Sequence, residues 1–232
     1  MAITLVLLPG LDGTGILFEP LLNFLSSSIS PLIIPLPNDR PLGYDALVPI
    51  VRPALPQDGQ FVLLGESFSG PLALMLAASS PANLKAFLLC ASFIRNPTYL
   101  PCVLQHIIGA WLFKISPLFI QAKALLAGHS SSQLRQQLRR AHNSVPAVVM
   151  AERIRSILRL TCKQELQNCP VPIGYIRGSL DRVVPKKNYN QILAVNSTVR
   201  EYVVHAPHLV LQTQPRAAAV AIETFVKDIG LT

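Results

Sequence analysis

The sequence of 232 residues has no uninterrupted apolar run of 18 residues, although 50% of it is hydrophobic and its mean hydropathy is +0.42. Its most apolar stretch, residues 106–128, is broken by Lys114, Pro117 and Lys123. That excludes a spanning helix and predicts a soluble chain without stable membrane insertion. The opening Met-Ala-Ile-Thr-Leu-Val-Leu-Leu-Pro lacks a basic segment and a small-residue cleavage site, so it reads as a first strand and a cytoplasmic location is expected. Cysteine is scarce. Cys90, Cys102, Cys162 and Cys169 have neither the C-x-x-C spacing of zinc and redox sites nor the density of a disulfide scaffold, so buried, reduced thiols are expected. No repeat or low-complexity tract is present, and the apolar content excludes disorder.

Acidic residues are the other shortage: 12 against 20 Lys and Arg, a net charge of +8. The imbalance is local. Residues 93–169 hold ten basic and two acidic side chains, whereas the rest of the chain carries ten of each. The basic segment lacks interleaved aromatics, which argues against a nucleic-acid partner.

What the chain does contain is alternation. Apolar runs of strand length at residues 3–8, 32–34, 61–64, 84–89, 172–176 and 200–204 are separated by helical patterns at 19–25, 44–55, 68–78, 186–194 and 215–229. Strands that are apolar throughout and alternate with helices predict a parallel sheet covered on both faces. From about residue 92 to 169 the pattern is helical only, with Leu134, Leu138 and Ala141, then Val148, Ala151, Ile154 and Leu158, spaced three or four apart. The expected organisation is an α/β core of residues 1–92 and 170–232 with a helical insertion at 93–169.

The sharpest local motif is Phe61-Val-Leu-Leu-Gly65-Glu66-Ser67-Phe68-Ser69-Gly70-Pro71, an apolar strand running into a serine-bearing turn and then a helix. Such a turn lifts a serine hydroxyl clear of the sheet, and the helix N-terminus favours negative charge beside it. The segment departs from G-x-S-x-G in having Ser69 where the last glycine usually stands, with Gly70 one place later. Taken alone it could be any strand-to-helix turn. A serine nucleophile also needs a histidine base and an acid to orient it, and in this context both come later, acid first. Asp181 follows the fifth apolar run in Gly178-Ser-Leu-Asp181-Arg-Val-Val-Pro185, and His208 follows the sixth in His205-Ala-Pro-His208. In isolation Asp181 reads as a turn aspartate and His208 as a loop histidine. Together, in order and in context, the three read as a catalytic Ser67–His208–Asp181 set. The glycine-rich Pro9-Gly10-Leu11-Asp12-Gly13-Thr14-Gly15 loop can present the Leu11 N–H to an oxyanion, with the second N–H from Phe68. It completes neither the phosphate-loop nor the dinucleotide fingerprint.

On these segments the chain resembles the α/β-hydrolase superfamily over essentially its whole length, and is similar to its small lidded serine carboxylesterases and thioesterases, pimeloyl-acyl-carrier-protein methyl ester carboxylesterases among them. The resemblance implies a doubly wound, mostly parallel sheet of about six strands with an inserted helical lid. It also implies a serine hydrolase of carboxylic esters or thioesters that works through an acyl-enzyme without metal or organic cofactor. Lyase, cofactor-free haloperoxidase and acyltransferase chemistry are alternatives for the same residues, and a non-catalytic binding module is a third. As lid, residues 93–169 are expected to contribute Trp111 and Phe113 to an acyl pocket. Arg135, Arg139, Arg155 and Arg159, paired four apart on helix faces, are expected to meet an anionic partner such as an acyl carrier protein, or else to form a solvated surface.

Overall fold

A computed structural model describes residues 2–98, 101–111, 125, 126, 128 and 131–231. Six strands, β1 (Ile3–Leu8), β2 (Ile29–Ile33), β3 (Phe61–Glu66), β4 (Leu84–Cys90), β5 (Ile173–Gly178) and β6 (Arg200–Val204), form one sheet in the order β2-β1-β3-β4-β5-β6. Every pairing is parallel. The helices are α1 (Glu19–Leu22), α2 (Tyr44–Val51), α3 (Ser69–Ala78), α4 (Ser132–Asn143), α5 (Ala147–Arg159), α6 (Lys163–Gln167), α7 (Lys186–Val195), α8 (Val210–Thr213) and α9 (Pro215–Asp228).

Alternation along the strands builds two cores. Phe61 and Leu63 of β3, with Phe87 and Leu89 of β4, face α2 and α3, while Val62, Leu64, Ala86 and Leu88 face the other way onto Phe225 and Ile222 of α9. All six residues of β3 are buried, as a central parallel strand between two helical layers requires. The turn that carries Ser67 therefore stands on a strand buried along its whole length. At roughly 25 cal/mol per Å² of apolar surface, that burial fixes the strand far more firmly than any single hydrogen bond could.

The insertion between β4 and β5 leaves and rejoins the core at an antiparallel bridge between Arg95 and Thr161, reinforced by the Cys162 N–H on the Ile94 carbonyl (2.9 Å). Phe93, Ile94, Cys162 and Leu166 are already part of the core, so the excursion lies inside the 93–169 limits read from the sequence. Helix α5 buries Val149, Met150, Ala151, Arg153, Ser156 and Leu158. Val148, expected inward, is 44% exposed, because the buried stripe lies one position round the helix. The thiols also divide: Cys90 and Cys162 are buried, Cys169 is half-buried, and Cys102 is exposed, contrary to expectation. No helix among the described residues is long and apolar enough to cross a membrane.

Candidate active site

Ser67 occupies the turn between β3 and α3 with φ of 47°. A non-glycine residue rarely adopts that left-handed conformation, and it persists only where the surroundings hold it. Here they do: the Ser67 N–H donates to the Cys90 carbonyl (2.8 Å), and the Ser67 carbonyl accepts from Ser92 Oγ (2.7 Å) and the Gly70 N–H (3.0 Å). The departure from the usual motif has a structural reason. Ser69 donates its hydroxyl to the Pro9 carbonyl, tying the turn to the glycine-rich loop after β1. At Gly70 a Cβ would lie 1.9 Å from Ser92 Oγ, so the position that must be glycine is the one after Ser69.

From Ser67 a hydrogen-bonded chain runs inward. Ser67 Oγ lies 2.9 Å from His208 Nε2, and His208 Nδ1 lies 2.8 Å from Asp181 Oδ2. A carboxylate only accepts, so the Nδ1 proton sits between the imidazole and Asp181 and leaves the Nε2 lone pair facing the hydroxyl. The other oxygen of Asp181 accepts the N–H groups of Val183 (2.8 Å) and Val184 (2.9 Å), which fixes the carboxylate plane. His208 is 3% exposed and Asp181 8%. His205, three residues earlier, is exposed and pairs its Nδ1 with Ser179 Oγ at 3.1 Å. Among the described residues, neither the Leu11 nor the Phe68 N–H has a hydrogen-bond acceptor.

Ser67 and His208 border a cavity of about 400 Å³ whose walls include Leu11, Phe68, Phe93 and Val184 from the core and Ile108, Leu138, Met150, Ile154 and Leu158 from the insertion. The walls are overwhelmingly apolar. Asp12 and Glu66 are the acids on them, and no Lys or Arg lines the cavity among the described residues.

Ser67, Asp181, His208, Leu11 and Phe68 are thus brought together, whereas the expected lid contacts are not. Trp111 is 52% exposed, gives its indole N–H to the Ile107 carbonyl (3.2 Å), and does not line the cavity. Phe113 lies outside the described residues. Arg135 and Arg139 are on the outward face of α4, while Arg155 and Arg159 both reach Glu152, at 3.3 and 2.8 Å. Glu152 sits between the two cations and relieves the repulsion expected of them.

Two residues that sequence reasoning passed over sit beside the site. Glu66 is 3% exposed and accepts from Gln212 Nε2 (2.8 Å). Burial pushes its carboxyl up to about 7; the Gln212 hydrogen bond opposes the rise, and the field of Asp12 adds to it. Arg153 is buried against the Leu11 carbonyl. The signal for Glu66 was its place in a wholly apolar strand. The signal for Arg153 was its offset of four from Val149 and three from Ser156.

A parallel sheet with a strained serine turn at its centre, and with acid and histidine on the loops after the last two strands, defines a class. The model of the alpha/beta hydrolase family matches residues 5–222, and the chain belongs to that family. Solved structures share the fold at low identity. A bromoperoxidase from Bacillus anthracis matches with a TM-score of 0.85 and 13% identity, covering 98% of this chain and 93% of that one. An esterase from Exiguobacterium antarcticum matches at 0.84 and 14%, covering 97% and 92%. A thermophilic esterase from Thermogutta terrifontis matches at 0.82 and 16%, covering 99% and 91%. No curated protein matches the chain in sequence.

Proposed function

We propose that this α/β-hydrolase cleaves carboxylic esters or thioesters through an acyl-enzyme on Ser67. The observation that carries the reading is the continuous chain Ser67 Oγ–His208–Asp181 opening on an apolar cavity. In the reaction, His208 Nε2 takes the hydroxyl proton as Oγ attacks the acyl carbon, and Asp181 stabilises the imidazolium that forms. The Leu11 and Phe68 N–H groups hold the oxyanion. The proton then passes to the departing alcohol or thiol, and a water activated by the same imidazole releases the acid and restores Ser67.

The cavity favours an uncharged acyl group. At about 30 Å³ per small group of atoms its volume holds roughly a dozen non-hydrogen atoms, and among the described residues a free carboxylate would face Asp12 and Glu66 with no Lys or Arg on the wall to meet it. A substrate presented by an acidic carrier protein fits the same reading. Helix α4 turns Leu138 and Ala141 to the cavity while holding Arg135 and Arg139 to solvent.

The test is Ser67→Ala on a series of p-nitrophenyl acyl esters, with fluorophosphonate labelling alongside. Loss of turnover by at least about a thousandfold, with labelling abolished and the far-ultraviolet spectrum unchanged, is expected. An equally active variant would remove the proposal. A parent protein that takes the label but hydrolyses no member of the series would point to lyase or transfer chemistry instead.

A further inference from the structure

Arg153 is a buried cation with no role in the steps above. It stands midway along α5 with 1% exposure, and among the described residues no carboxylate forms an ion pair with it. Burying a guanidinium without a counter-ion is unfavourable unless its donors are met by well-placed acceptors. Both terminal nitrogens find acceptors near the active site, while Nε has none among the described residues: Nη1 donates to the Leu11 carbonyl (2.8 Å), and Nη2 to the Pro37 carbonyl (3.0 Å) and the side-chain Asn38 Oδ1 (2.9 Å). The guanidinium carbon also lies 5.8 Å from the centroid of the Phe68 ring, within cation–π range. Phe68 is held as well by Tyr44, whose ring stacks on it at 4.7 Å and whose hydroxyl donates to its carbonyl (2.9 Å).

The glycine-rich loop is shaped around this head group. A Cβ on Gly13 would fall 2.6 Å from Nη1, and Gly13 has φ of +69°, so both space and conformation require glycine there. Burial lowers the pKa of Arg153 to about 10, with Asp12 and Tyr44 opposing the fall, so it remains charged at neutral pH.

One side chain from the insertion therefore contacts both residues proposed above as the oxyanion donors. We infer that Arg153 is a positioning residue for the oxyanion hole, holding the peptide that follows Leu11 and the ring of Phe68 in register, so that docking of α5 and assembly of the two donors are a single event. The inference rests on the Ser67 reading above. Its physical content is preorganisation: donors fixed before charge develops lower the barrier more than donors that must first be ordered.

The experiment compares Arg153→Met, which keeps an unbranched apolar stem but removes the guanidinium with its charge and donors, with Arg153→Lys and the parent. Intact sites are counted by exhaustive fluorophosphonate titration, kcat and KM are measured on a short p-nitrophenyl ester, and inhibition by a trifluoromethyl ketone reports the oxyanion hole. R153M is expected to lower per-site kcat ten- to a hundredfold, short of the 10²–10³ typical of deleting a donor outright, with KM changed less than about threefold. Affinity for the ketone is expected to fall by the same factor as kcat/KM, and R153K to recover part of both. A per-site kcat within twofold of the parent, or a loss confined to KM or to the number of intact sites, overturns the inference. If R153M does not fold, R153K decides: its ammonium cannot reach all three acceptors, and an unaltered per-site kcat and ketone affinity would refute the positioning role. Full activity of R153M in a protein whose Ser67 still takes the label defeats this inference alone, whereas an active Ser67→Ala defeats the reading beneath it.

Discussion

Glu66 precedes Ser67, and its placement makes stability depend on pH. Its carboxyl titrates at about 7 in the folded protein against an ordinary 4.5, because burial disfavours the charged form more than Gln212, His208 and the Gly10 N–H favour it. Between those two values the unfolded chain has released the proton while the folded chain keeps it. The stability carried by the neutral acid is therefore fully present below 4.5 and is lost as pH rises through 7, a difference of about 3 kcal/mol at most. Glu66→Gln stays neutral and should escape this loss. Urea denaturation is expected to show the variant gaining roughly 2 kcal/mol on the parent between pH 5 and pH 8; a gain that does not change with pH would mean that the carboxyl is ionised throughout. The two histidines near the C-terminal end separate just as clearly. His208→Ala removes the partner of both Ser67 and Asp181 and is expected to lower kcat by at least about a thousandfold, while His205→Ala breaks only an exposed contact with Ser179 and should keep activity within about threefold. Steady-state turnover of one ester checks both.

Elements differ in how openly the sequence declares them. Strands β1 and β6 coincide with their apolar runs, and the β3–turn–α3 unit was readable because an unbroken buried strand leads into small residues and then a helix. The candidate triad was legible for the same reason, since each member follows a strand whose position alternation predicts. Edge strand β2 begins at Ile29, three residues earlier than its apolar core, because one face of an edge strand meets solvent and Ser30, Pro31 and Leu32 are exposed there. Helix α5 misled for a deeper reason. Its buried stripe contains Arg153 and Ser156, so a search for apolar spacing slid to Val148. A charge whose acceptors are the Leu11 and Pro37 carbonyls and Asn38 Oδ1, all distant in sequence, leaves no local trace there. If the cavity holds the acyl group, the side chains that α5 and α4 turn inward should set its chain-length preference. Ile154→Trp adds bulk to the cavity wall and is expected to lower kcat/KM for p-nitrophenyl octanoate at least tenfold relative to p-nitrophenyl acetate, with overpacking of about 1–3 kcal/mol at most. An unchanged ratio would show that the acyl group lies elsewhere.

At the scale of the whole molecule the charge is segregated. The net +8 belongs to the segment that covers the cavity, while the sheet and its own helices are balanced. Not all of that charge is available. Arg155 and Arg159 are engaged by Glu152 and Arg153 is buried, whereas Arg139 and Arg140 are exposed on α4 and form a basic face there. Rim charges act mainly on encounter, raising association with an oppositely charged partner by about tenfold or more and fading as salt shortens the Debye length. A neutral small ester feels none of this. If the face receives an acidic acyl carrier protein, kcat/KM for a carrier-bound ester should fall steeply with ionic strength, and the double variant Arg139→Glu, Arg140→Glu should lose about tenfold on it at low salt while matching the parent on p-nitrophenyl esters. Reversal at Arg155 and Arg159 is the poorer choice, because it would crowd new acids against Glu152 and confound steering with stability. Equal losses on both substrates would locate the damage in the cavity, and no loss on either would leave α4 a solvated surface whose charge serves solubility alone.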